Sequence, residues 1–164
     1  MEKDKDLKEK ERELKQAKTK PPPIQTFIET YHADLRADLQ TYMQGDSALR
    51  RQLERKLYRD FLSAAERGNP QTLQIYLDTG IDVNFQDPKT GQTALHVSSA
   101  SRAREAVRVL LASGKCDYLI RDRRGRLASE LAYLYGEDPA LARLLGNKER
   151  KQAERYGMKL TRKP

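Results

Sequence analysis

One offset governs the second half of this chain. Ala64-Ala65, Ser98-Ser99 and Ala132-Tyr133 stand 34 residues apart, and each pair opens on a small residue. Gly68, Arg102 and Gly136 follow at the same offset, as do Leu77, Leu111 and Leu145. Gly80 pairs with Gly114 in this way, and Gly91 with Gly125. Self-similarity at a fixed period of this length is the mark of stacked helical repeats. One such unit cannot bury its own apolar face, so about three must stack to be stable. The small pairs predict close approach between neighbouring helices, and the leucines predict the layer between repeats. Hydrophobic residues are 37% and charged residues 34% of the 164, a wet composition that suits an elongated domain with charged ends.

The residues that carry the period resemble the ankyrin-repeat family. Gly91-Gln92-Thr93-Ala94-Leu95-His96 is similar to the family's glycine–x–threonine–proline–leucine–histidine turn. Gly80-Ile81-Asp82-Val83-Asn84 is similar to its glycine–alanine–aspartate–valine–asparagine connection. The resemblance implies an all-α fold, a short ankyrin solenoid of about three helix pairs over 57–150. It places finger turns at Asp87–Gly91 and Asp122–Gly125. It also implies that Thr93 caps a helix, that His96 bonds the turn, and that Leu77, Val109, Leu110, Leu111, Leu144 and Leu145 form the core between repeats. The first unit lacks the turn motif. The third has Leu127, Ala128, Ser129 and Glu130 where the motif would stand.

Three further segments flank the repeats. Residues 1–20 are almost wholly charged and carry too few apolar side chains to bury, which predicts a solvated, partly helical tail. Residues 21–56 begin with Pro21, Pro22 and Pro23, a backbone held extended. Ile24, Ile28, Tyr31, Leu35, Leu39 and Tyr42 then recur at helical spacing. Gly45 ends that segment, and Leu49, Leu53 and Leu57 form a second apolar row. A helical hairpin that caps the open end of the stack is the expectation. Residues 151–164 read as a basic C-terminal tail.

Function follows from what the motifs offer. The only histidines are His32 and His96 and the only cysteine is Cys116, with no metal-ligand spacing and no phosphate-binding glycine loop. The expectation is a non-enzymatic module with no cofactor, no metal and no small-molecule substrate, a protein–protein adaptor or scaffold in the cytoplasm. The formal net charge of +8 favours an acidic protein partner. Family recognition uses finger tips and the exposed side of the inner helices. Carried over by position, this gives Gln86, Lys89 and Gln92 on the first finger and Ser101 on its helix. The second finger gives Arg121, Arg123, Arg124 and Arg126, with Leu134 and Tyr135 on its helix. Arginines beside an apolar and an aromatic side chain compose a binding hot spot. The alternative is electrostatic binding of nucleic acid or an anionic membrane, or an exported bacterial effector, through the basic C-terminal tail.

Overall fold

A computed structural model describes residues 47–161, together with Ala33 and Ala37, both helical. The charged tail at 1–20, the proline spacer and the first helix of the expected hairpin otherwise lie outside the described residues. Six helices and no strand occur among the described residues: α1 (Ser47–Arg67), α2 (Pro70–Asp78), α3 (Ala94–Ala100), α4 (Arg104–Ala112), α5 (Ala128–Leu134) and α6 (Pro139–Arg155).

The helices pair as α1 with α2, α3 with α4 and α5 with α6. The first helices of the three pairs stack in order, α3 lying between α1 and α5. The small-residue row explains that stacking. Ala65 and Ser99 are both 0% exposed, and Ala64, Ser98 and Ala132 are buried beside them. No side chain at these positions holds the neighbouring helices apart. Tyr133 ends the row. It stands where Ser99 and Ala65 stand one and two periods earlier, and it is 65% exposed. No described helix packs over this ring.

The leucine layer resolves the same way. Tyr76, Leu110 and Leu144 are equivalent in the period, and their exposures are 2%, 0% and 47%. The helix of Tyr76 packs against α4 of the following pair, while no described helix follows the third. The expected core is therefore smaller than the leucine pattern implied. Leu110 and Leu145 are buried, Leu77, Val109 and Leu111 are half-buried, and Leu144 is exposed. Adjacent residues on a helix point about 100° apart, so a leucine pair cannot bury both members against one neighbour.

Hydrogen bonds tie equivalent positions of adjacent units. Arg102 donates from Nε to Gly136 O at 2.7 Å and from Nη2 to Glu137 O at 3.0 Å. Arg104 clamps the Asp138 carboxylate with bonds of 2.6 and 2.8 Å. Asp138 also accepts from Leu141 N at 3.1 Å and so caps α6. The three helix-end positions at 68, 102 and 136 serve different needs. Gly68 and Arg102 adopt φ of 72° and 56°. Gly136 is small because a Cβ there would sit 2.4 Å from Ser99 O.

Both boundaries drawn at the ends of the repeats fall inside helices. α1 runs through 56/57, so the second apolar row and the first repeat share one helix, with no glycine or proline to divide it. α6 runs through 150/151 to Arg155, and its last turn buries Ala153.

Asp138 gives the fold an acid limit. The Arg104 bonds and the Leu141 amide hold its carboxyl down to about 2. A folded-state value below that of the unfolded chain contributes stability that is present above the unfolded value. That stability is lost as pH falls from near 4 towards 2. Melting temperature should decline through that window, and Asp138→Asn should decline less. Parallel acid profiles for the two proteins would exclude Asp138 as a source of the decline.

Candidate interaction surface

The first finger is a reversed turn closed by Asp87 N to Gln92 O at 2.9 Å and Gly91 N to Asp87 O at 2.7 Å. Gly91, at φ 69°, also lies against the second finger, where a Cβ would meet Arg123 N at 2.7 Å. The second finger is one residue shorter, closed by Asp122 N to Arg126 O at 2.9 Å and Gly125 N to Asp122 O at 2.8 Å. Arg123 N donates to Thr90 O at 3.0 Å and joins the two fingers.

His96 holds the base of this surface. Its Nδ1 accepts from Thr93 N at 3.2 Å and faces Thr93 Oγ1 at 2.8 Å, while Nε2 lies 3.2 Å from Arg126 O. That pattern belongs to a neutral ring with its proton on Nε2, and burial pushes the His96 pKa down. The ring therefore bonds the turn, as the sequence motif implied.

Geometry separates the ten expected contact residues into two sets. Gln86, Arg121 and Arg126 are committed to the scaffold. Gln86 Nε2 donates to Gly91 O at 2.8 Å and Arg121 O at 3.0 Å. Arg121 donates to Gly125 O at 2.7 Å and Thr161 O at 2.6 Å. Arg126 pairs with Asp122 through bonds of 2.9 and 2.7 Å. It also donates to Tyr135 Oη at 2.9 Å, its guanidinium 5.3 Å from the ring centre. Burial opposes ionisation of Asp122, but its bonds from Arg126 and from the Arg126 and Arg124 amides outweigh that, and its carboxyl lies below the usual range. Lys89, Ser101, Arg123, Arg124, Leu134 and Tyr135 are exposed, and Gln92 is half-buried. The Arg126–Tyr135 contact makes the second finger continuous with the end of α5.

The family model for ankyrin repeats matches in three copies over residues 61–155, more than half of the chain. The protein is a member of the ankyrin-repeat family. The match begins inside α1, runs to the end of α6 and takes in both fingers. No curated protein matches the chain. Ankyrin repeats are, in general, modules that bind other proteins, and the family is typically non-enzymatic. Among the described residues no cluster of three or more His, Cys, Asp or Glu side chains is placed to hold a metal. Burial raises the Cys116 thiol to about 11, so it is protonated at neutral pH and is a poor nucleophile. No described helix is long and apolar enough to cross a membrane.

Two features of the ankyrin surface were absent from the sequence reading. Tyr133 adds an exposed aromatic ring beside Leu134, and its signal was visible as a tyrosine in a register of small residues. Arg102 was placed only as a helix end, whereas its guanidinium bonds the next unit. No motif marks that role.

Proposed function

We propose that this ankyrin stack is an adaptor that docks an acidic protein in the cytoplasm. Arg123 and Arg124 receive carboxylates of the partner, while Leu134 and Tyr135 receive an apolar side chain. The supporting observation is the Arg126–Tyr135 contact at 2.9 Å, which makes charged finger and apolar helix end a single surface. Arg123 and Arg124 form no ion pair with any described residue, so both guanidinium groups remain for bidentate contact. Arg126 acts differently. It is the strut that holds Tyr135 in position, already neutralised by Asp122.

Capture from cell extract, with the retained protein then measured against purified variants, tests this reading. Arg123→Ser, Arg124→Ser and Leu134→Ser together should weaken the captured partner at least about a hundredfold, since truncating an arginine anchor costs about 2 kcal/mol. The melting temperature should stay near wild type, because none of the three side chains is buried. Undiminished binding by the triple variant would remove this surface from consideration.

A further inference from the structure

On α6 a second basic region is built into a cleft. Lys148, Lys151 and Arg155 follow one another at helical spacings of three and four, which puts them on one face of α6. Lys115 faces them from the loop that leaves α4. Together these side chains line an open cleft of about 470 Å³. None of the four pairs with an acid among the described residues. Lys115, Lys151 and Arg155 are exposed, and Lys148 lies 5.6 Å from the centre of the Tyr118 ring.

The floor between the cations is fixed by hydrogen bonds. Gln152 Oε1 accepts from Tyr118 N at 2.8 Å, and Gln152 Nε2 donates to Asp117 Oδ1 at 2.9 Å. Asn84 accepts from Asp117 N at 2.8 Å and donates to Lys115 O at 2.9 Å. Asp117 is the only acid in the lining, and its Oδ1 also accepts from Leu119 N at 2.9 Å. Its carboxylate is held by the scaffold and offsets one positive charge, so four cations against one acid leave the lining net positive over a hydrogen-bonded floor. Their mutual repulsion is relieved by any anion that spans them.

We infer that this cleft takes a short run of acidic residues from a partner protein, at a site separate from the finger surface. The length of the row decides the class of ligand. Lys148 to Arg155 covers about 10 Å along the helix, the reach of about three residues of extended peptide. A single phosphate group cannot bridge that distance. A membrane surface meets protruding side chains, whereas these four line a cleft.

The test is direct binding of fluorescein-labelled hexaglutamate to the full chain, read by polarisation at about 0.05 and 0.15 M salt. Hexaglutamine and phosphatidylserine vesicles are the comparison ligands. Lys151→Gln with Arg155→Gln should weaken the peptide about tenfold, which corresponds to about 1.4 kcal/mol. Lys115→Gln with Lys151→Gln tests the loop side and should give a similar loss. Lys151→Arg should bind within about twofold of wild type, as should Arg123→Ser with Arg124→Ser, because the finger lies outside the cleft. Failure of hexaglutamate to bind would overturn the inference. So would equal loss from the finger and cleft variants, or vesicle binding that persists where the peptide does not bind. Loss confined to the cleft variants supports it whether or not the finger surface docks a partner.

Discussion

Leu110→Ala is expected to destabilise the fold by about 2–5 kcal/mol, and Leu144→Ala by less than about 1 kcal/mol. The two leucines occupy the same place in consecutive repeats, with the same covalent structure. Their surroundings differ. Leu110 is 0% exposed, and truncation leaves a cavity that closely packed neighbours fill only in part. Leu144 lies at the uncovered end and half of its surface already meets water, so truncation removes contacts from one side only. Leu111, the residue that the leucine pattern nominates most directly, is half-buried and should fall between them. Urea unfolding of the three variants gives the order. Equal losses for Leu110→Ala and Leu144→Ala would mean that something covers Leu144 in solution and that the stack continues beyond α6.

The same contrast explains how far the sequence could be read. The offset of 34 residues reports the repeat, and hydrogen bonds between Arg104 and Asp138, and between Tyr118 and Gln152, realise it as bonds between equivalent positions. The Gly91–His96 motif carries much of its own geometry, since Thr93 and His96 bond within one turn. Other features depend on neighbours that periodicity does not specify. Which leucine of a pair is buried depends on the presence of the next unit. Whether an arginine on a finger is free depends on acids folded against it. Arg126 differs from Arg124 because Asp122 lies within reach of its guanidinium. The continuity of α1 had a local signal. From Leu53 through Leu57, Phe61, Ala64 and Ala65 the helical spacing never breaks, and neither glycine nor proline interrupts 47–67.

The departure of the third repeat from the turn motif leads to the second large effect, at Glu149. In the second repeat Thr93 and His96 satisfy the start of α3 from within the turn. At the start of α5, Leu127 replaces the threonine and offers no side-chain acceptor. Two acids take over. Glu130 reaches back to accept from Leu127 N at 2.6 Å. Glu149 comes from α6 and accepts from Ser129 N at 3.1 Å and from Ser129 Oγ at 2.7 Å. It can do so because α6 continues two turns past the length of α4, which carries an acid into the layer below α5. A carboxylate at a helix N-terminus is favoured by the exposed amides and the helix dipole, and Glu149 is 1% exposed. Glu149→Ala leaves the Ser129 amide and hydroxyl without these acceptors in a dry site. The expected loss is about 3 kcal/mol, since each orphaned buried polar group costs about 1–3 kcal/mol. Glu149→Gln keeps the volume and one acceptor oxygen, but turns an amide group towards a donor, so its loss should be intermediate. Ser129→Ala removes the hydroxyl and leaves the amide bond in place, and should cost least of the three. Hydrogen exchange at the Ser129 amide locates the effect, which should rise more steeply there than in α3. A Glu149→Ala protein as stable as wild type, with Ser129 exchange unchanged, would show that α5 needs no acid from α6.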